Sequence, residues 1–373
     1  MLKTYRILAI NPGSTTTKIA VFDNKTEIFK VTLEHSSQEL DKFKDLSEQK
    51  PYRMEKIKEV LREKNIALES IDAFVGRGGG QEVMEGGTYT VNDLAYEHAR
   101  IGYRAVHPCT LGSQIARDLG DQYNKPSFFV NPPCVDEMID EARVSGMKEI
   151  LNRNLVHALN QKEVANRYAA SIGKKYKDLN LVIAHVGGGV SVTAHRRGRM
   201  IDTNDCLGGS GPFSPTRSGS VSAIGLLKMC FSGKYTEKEI YEKITKNGGL
   251  VDYLGTNDVR EVRKMINSGN KYAEMIFNAM IHQIKKEIGA MCAVLDGDVD
   301  TIILTAGVSY DTGFVESIRK SLSFIAPVVA MPGEFEMEAL AMGALKVLTG
   351  EEEAKVYTGI SPVNQEWFGE AIY

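Results

Sequence analysis

The chain has 373 residues, 43% of them hydrophobic and 25% charged, with a formal net charge of −3. That length exceeds one ordinary core and points to two domains, and the near-balanced charge excludes the broad basic field of a nucleic-acid binder. Five cysteines (Cys109, Cys134, Cys206, Cys230, Cys292) are scattered without CxxC spacing, which argues against a disulfide framework or zinc site and fits a reducing cytoplasm. No apolar run reaches the ~20 residues of a membrane helix, so no membrane partner is expected.

The N-terminal run MLKTYRILAI breaks at Asn11-Pro12-Gly13 with no small-residue cleavage site, so residues 5–10 read as a buried strand rather than a signal peptide. A glycine/hydroxyl loop follows at 11–17, then a second β-rich run to Asp23. The pattern predicts helices over 52–64 and 94–119 and strands over 71–76 and 127–130. A helix over 156–175, with Gly173 near its end, joins the two halves. A strand then enters a second glycine/hydroxyl loop at 185–191, and another strand leads toward Thr203. Residues 272–295 form the strongest helix, with Ile276, Met280, Ile284 and Ile288 recurring every four residues as a core stripe. Strands at 301–305 and 324–330 and a helix at 334–348 complete the chain. Alternating β and α elements imply layered α/β domains.

Two segments resemble each other: RILAI-NPGSTTT-KIAVFD from Arg6 and LVIA-HVGGGVS-VTAHRRGRMIDT from Leu181. Nearly half the chain separates them, which suits two copies of one domain, each opening with a glycine-rich β-hairpin. Backbone N–H groups of such a turn can converge on an anion. The hydroxyls of Ser14, Thr15 and Thr16 and the charge of Lys18 add donors. One such turn is an ordinary hairpin; two in corresponding places point to phosphate gripping. No GxxxxGK[ST], complete GxGxxG, H-R-D or D-F-G motif occurs, so familiar nucleotide-binding scaffolds are excluded.

Arg77 in VGRGGG and Arg217 in PTRSGS sit in glycine-rich loops, where a guanidinium can fork onto two oxygens of an anion that small neighbours let approach. His107 and His185 lie at turns and are candidate site residues. His35, His98, His157, His195 and His282 read as structural or surface. The segment 207–220, LGGSGPFSPTRSGS, has linker composition but lies mid-domain, where a long ordered loop is more often functional.

These residues carry a family resemblance. NPGSTTTK and HVGGGVS resemble the two phosphate loops of the acetate and butyrate kinases, within the wider group of actin, Hsp70 chaperones and sugar kinases. DTNDCLGGSGPFSPTRSG resembles the long loop of that family, TAGVSYD its adenosine-side loop and GEFEMEALAMGA its C-terminal motif. The landmarks occur in family order over nearly the whole chain, with the butyrate-acting branch most similar.

The resemblance implies a duplicated ribonuclease-H-like α/β fold with a nucleotide cleft between two domains, placed at 1–155 plus about 340–373 and at 156–339. It implies ATP-dependent, reversible phosphorylation of butyrate or a related short or branched acid, with ATP/ADP and Mg²⁺ as cofactors. Acetate or propionate kinase, and more remotely a sugar-type kinase, are the alternatives. It also implies a cytoplasmic homo-oligomer without nucleic-acid partners. Carried over by position, Arg77, Arg217 and His185 are catalytic, and His107, Gly79 and Asn131 bind the acid. Ser14, Thr16, Lys18, Gly187, Gly188, Gly189, Ala306, Gly307 and Val308 bind ATP. Asn11 and Glu338 stand near magnesium, with Glu334 and Glu336 as close competitors.

One departure stands out. Where the family places an aspartate, this chain has Asn131, with Asp136 further along as a substitute. A carboxylic acid of pKa near ~4–5 is already ionised at pH 7 and needs positioning rather than a base. The row Arg77-Gly78-Gly79-Gly80 stands where acetate kinases carry two valines. Their loss is expected to leave room for further methylenes, each worth ~0.8 kcal/mol when buried.

Overall fold

The computed structural model describes residues 3–369. The chain divides into two compact units. The first comprises the described residues up to Asp136 together with Phe335–Gln365; the second comprises Glu137–Glu334 and the described residues from Glu366. The strands are β1 (Arg6–Pro12), β2 (Thr16–Asp23), β3 (Thr26–Glu34), β4 (Ala73–Gly76), β5 (Thr88–Thr90), β6 (Ser127–Val130), β7 (Asn180–Val186), β8 (Val190–Arg196), β9 (Arg199–Thr203), β10 (Thr301–Ala306), β11 (Val328–Pro332) and β12 (Lys355–Val356). The principal helices are α1 (Gln49–Glu63), α2 (Asp93–Ile101), α3 (Thr110–Tyr123), α4 (Ala158–Ser171), α5 (Ala223–Cys230), α6 (Glu237–Thr245), α7 (Gly249–Leu254), α8 (Val259–Asn267), α9 (Lys271–Val294), α10 (Thr312–Leu322) and α11 (Glu336–Leu348).

The sheet order is β12-β5-β6-β4-β1-β2-β3 in the first unit and β11-β10-β7-β8-β9 in the second. Both contain the same series, β3-β2-β1-β4-β6 and β9-β8-β7-β10-β11. In each, three antiparallel strands form a meander and two parallel strands extend it. The internal resemblance is therefore a duplicated α/β topology. The central strands read as continuous apolar runs because both faces are covered: Ile7–Ile10 and Leu181–Ala184 are buried throughout. Helices α3 and α11 pack on the first sheet, and α4 and α9 on the second. The stripe of α9 (Ile276, Met280, Ile284, Ile288) is buried in the second core with Phe277 and Ile281.

The expected helix over 94–119 is two helices. Gly102 ends α2 in the left-handed region at φ 62°, and α3 begins only at Thr110, after Pro108. The break carries His107. Close approach then fixes α3 against β4, since a Cβ on Gly76 would lie 2.0 Å from the carbonyl oxygen of Gly112. The strand expected at 324–330 runs instead over Val328–Pro332, with Phe324 exposed before it. Helices α5 to α8 had no counterpart in the sequence pattern.

The unit limits also differ from the expected ones. Residues 137–155 group with the second unit, because the Glu137 carboxylate accepts from Lys162 Nζ at 2.8 and 2.9 Å and from the Met200 amide at 2.8 Å. Ile139 N also donates to Ile201 O at 3.0 Å. Among the described residues no helix is long and apolar enough to cross a membrane.

Candidate functional site

In the first unit, β1 and β2 pair Asn11 with Lys18 and Pro12 with Thr17, which puts Asn11 and Lys18 on one face of the sheet. The connecting turn closes with Gly13 N donating to Thr16 O at 2.7 Å. Ser14 and Thr15 are exposed and Thr16 half-buried, while Thr17 is buried. Behind the turn lies Arg53 of α1, with no exposed surface, donating to Gly13 O, Thr16 O and Ser14 O at 2.9, 2.8 and 3.0 Å. Nothing in the sequence pattern singled it out, because an arginine on a polar helix reads as solvated.

Arg77 follows β4 directly. Its guanidinium pairs with the Glu336 carboxylate at the start of α11, and Asn11 Nδ2 donates to the other oxygen of Glu336 at 2.7 Å. The carboxylate that joins Asn11 is thus Glu336. The expected Glu338 instead pairs with Lys30 at 3.2 Å. Residues two apart on a helix do not face the same way, which separates the two glutamates. Among the described residues no cluster of three or more His, Cys, Asp or Glu is placed to hold a metal. Asn11 and Glu336 nevertheless offer the hard oxygen donors that Mg²⁺ takes in ones and twos beside phosphate and water, so the pair fits that ion.

His107 lies in the break before α3. Its Nδ1 accepts from the Cys109 amide at 3.2 Å, which leaves Nε2 to carry the proton when the ring is neutral. Burial, with the Arg77 charge, pushes its pKa down and favours that neutral form. Gly79 lies against Cys109: a Cβ added at Gly79 would meet Cys109 Sγ at 2.5 Å, and one at Gly78 would meet Phe129 at 2.9 Å and Pro132 at 3.0 Å. The room expected from two missing valines is therefore refilled by those neighbours. Burial pushes the Cys109 thiol up to about 11, so it acts as an apolar wall. Asn131, at φ 38°, accepts from Gly87 N at 2.8 Å through its side-chain oxygen. It thereby fixes the turn before β5. Asp136 is buried, and its amide donates to Met84 O at 2.7 Å.

In the second unit, β7 and β8 pair His185 with Ser191 and Val186 with Val190, leaving Gly187, Gly188 and Gly189 as the turn. Ser214 and Thr216 hydroxyls donate to Gly188 O at 2.6 and 2.9 Å. The long segment 207–220 is thus an ordered brace for this turn. It also carries Arg217, whose Nη1 lies only 2.0 Å from where a Cβ on Gly189 would be, so a side chain there would displace the guanidinium. Arg217 Nη1 donates to Cys206 O at 2.8 Å, while its Nε is buried without a hydrogen-bond partner among the described residues.

His185 Nδ1 lies 3.0 Å from Asn160 Nδ2, an amide nitrogen that can only donate. The ring therefore presents Nε2–H, which lies 3.4 Å from the Cβ position of Gly187. Asn160 also donates to Thr305 Oγ1 at 3.3 Å. Thr305 is the register partner of His185 on β10 and leads into Ala306, Gly307 and Val308. Ala306 adopts φ 69° and ψ −170°, a region a side chain rarely enters. Reciprocal bonds with Gly333 at 3.2 and 3.3 Å hold it there. His157, read from the sequence as structural or surface, stacks on His185 with ring centroids 3.7 Å apart and planes 4° apart. Its Nδ1 lies 2.9 Å from Ser191 Oγ. Only the fold brings it beside the loop.

The structure thus joins Asn11, Arg77, His107 and the first turn in one unit, and His185, the glycine turn, Arg217 and Ala306 in the other. Residues 146–367 match the acetokinase family. The chain belongs to the acetokinase family. It is 48% identical over 353 residues to a probable butyrate kinase of Clostridium botulinum strain Alaska E43, covering 95% of this chain and 99% of the relative. It is 49% identical, with the same coverage, to butyrate kinase 2 of Clostridium acetobutylicum. An acetate kinase crystal structure from Porphyromonas gingivalis superposes with a TM-score of 0.75 at 18% identity, over 92% of this chain and 100% of that one. That likeness establishes the acetokinase fold.

Proposed function

We propose that this acetokinase-family chain transfers the γ-phosphoryl group of ATP to butyrate, giving butyryl phosphate and ADP, and runs the reverse reaction. The observation that carries it is near-full-length identity of 48% to a probable butyrate kinase. A carboxylate oxygen attacks the γ-phosphorus as the bond to the β,γ-bridging oxygen breaks, and ADP leaves with that oxygen. No proton moves, because the acid is already ionised. This agrees with Asn131 standing where the family has an aspartate.

In this proposal Arg77 and Arg217 neutralise carboxylate and phosphoryl charge, and His107 and His185 donate through Nε2–H to oxygens that gain charge in transfer. The turn with Ser14, Thr16 and Lys18 and the turn Gly187–Gly188–Gly189 bind phosphates. Ala306, Gly307 and Val308 approach the nucleoside. Asn11 and Glu336 would hold Mg²⁺, which when bound supplies neutralisation of phosphate charge. The chain would work as a cytoplasmic homo-oligomer, whose assembly sedimentation of the purified chain checks.

A shorter acid, acetate or propionate, is the second reading, favoured by Cys109, Phe129 and Pro132 filling the space beside Gly78 and Gly79. Trapping acyl phosphates as hydroxamates across straight and branched acids from acetate to hexanoate decides between them. Highest kcat/KM with butyrate is expected. Highest with acetate transfers the assignment to the second reading, and no product from any acid overturns the kinase proposal.

A further inference from the structure

Arg53 is a charged side chain with no exposed surface. A buried cation is ordinarily paired with a carboxylate, yet the hydrogen-bond partners of Arg53 are neutral oxygens. Nη1 donates to Gly13 O at 2.9 Å, Thr16 O at 2.8 Å and Thr17 Oγ1 at 3.0 Å. Nη2 donates to Ser14 O and to Gln49 Oε1, both at 3.0 Å. The remaining turn carbonyl, Thr15 O, accepts from the His35 amide at 2.8 Å. The carbonyls of four consecutive residues, 13 to 16, are therefore held toward the protein.

A trans peptide points its C=O and its N–H in opposite directions. With the Gly13, Ser14 and Thr15 carbonyls turned inward, the N–H groups of Ser14, Thr15 and Thr16 are turned the other way. Ser14 and Thr15 are also the exposed residues of the turn. Successive N–H groups facing one side make an anion-binding concavity, and a cation behind aligned peptide dipoles strengthens their positive ends. The planar fork of a guanidinium, with five N–H donors, reaches several carbonyls in one fixed geometry.

We propose that Arg53 is the positioning residue of the first phosphate loop, fixing its carbonyls inward so that its amides form a preorganised cradle for a nucleotide phosphate. This rests on the kinase reading above, in which that loop binds ATP.

The test uses the full chain with Arg53→Lys and Arg53→Met, measuring kcat, KM for ATP, KM for butyrate, calorimetric ATP affinity and melting temperature. The expected result is kcat/KM for ATP lower by about tenfold in the lysine variant and about a hundredfold in the methionine variant, with KM for butyrate within about twofold. A role limited to gluing α1 to the sheet lowers the melting temperature but leaves KM and affinity for ATP unchanged. Either variant, folded and with kcat/KM for ATP within about twofold of wild type, overturns the proposal. If the methionine variant does not fold, the lysine variant decides by the same limits. If the wild-type chain makes no acyl phosphate, the kinase reading fails by itself. ATP affinity then judges the clamp alone: weakening of about tenfold in the lysine variant supports it, and no change overturns it.

Discussion

The two hairpin turns occupy the same place in the two sheets, yet they are supported in opposite ways. The turn after β1 is held from behind by the buried cation of Arg53 and by the His35 amide. The turn after β7 is held by neutral hydroxyls of Ser214 and Thr216, and its cation, Arg217, lies against Gly189. Duplication kept the backbone course and let the supports diverge. One turn is positioned by a helix early in the chain, the other by a segment nearly thirty residues downstream, near Arg217. The second arrangement favours glycine at Gly189, because the Arg217 guanidinium takes the space of a side chain. The first leaves the residues of the turn free to carry hydroxyls.

Gly189→Ala should break the second turn most severely. The new methyl displaces Arg217, and misplacement of about 1 Å costs about a hundredfold; steady-state kcat with ATP and butyrate reads it, while melting temperature changes little. Glu336→Gln should come next, with about a tenfold loss of kcat, since Arg77 and Asn11 both lose a charged partner. Glu338→Gln, which only releases Lys30 at the surface, should stay within about twofold. Reversal of that order would return the metal-side role to Glu338.

Acid should loosen the support of the first turn. His35 bonds Thr17 Oγ1 at 2.8 Å, and burial with the neighbouring charge of Arg53 lowers its pKa to about 4, with Glu39 opposing and Lys56 adding to the shift. The folded chain thus holds His35 neutral where the unfolded chain, at about 6.5, protonates it. The stability is fully present above pH 6.5 and declines as pH falls toward 4. Thermal unfolding across that range should show the decline, and His35→Gln should flatten part of it. The smallest effect is expected from Ala306→Gly. It relieves a backbone strain of about 1–3 kcal/mol at an entropy cost of about 1 kcal/mol, so the melting temperature rises slightly.

Much of the fold was legible in the sequence, because strand-length apolar runs and the period-four stripe from Ile276 to Ile288 are local signals. The duplicated turns were legible too, since glycines and hydroxyls recur in order. What escaped was long-range. The partners of Arg53 lie about forty residues away, His157 meets His185 only through packing of α4 on β7, and Glu336 differs from Glu338 only by helix phase. The surroundings of Gly78 and Gly79 escaped for the same reason. Missing side chains at Gly78 and Gly79 are visible in the sequence, whereas Cys109, Phe129 and Pro132 arriving from elsewhere are not.

Phosphorus NMR of the wild-type chain with ATP, Mg²⁺ and butyrate tests the central claim most directly. An acyl phosphate resonance should grow in step with ADP and disappear into ATP when ADP is supplied in excess. ADP appearing only with inorganic phosphate, or ATP remaining unchanged, would contradict it.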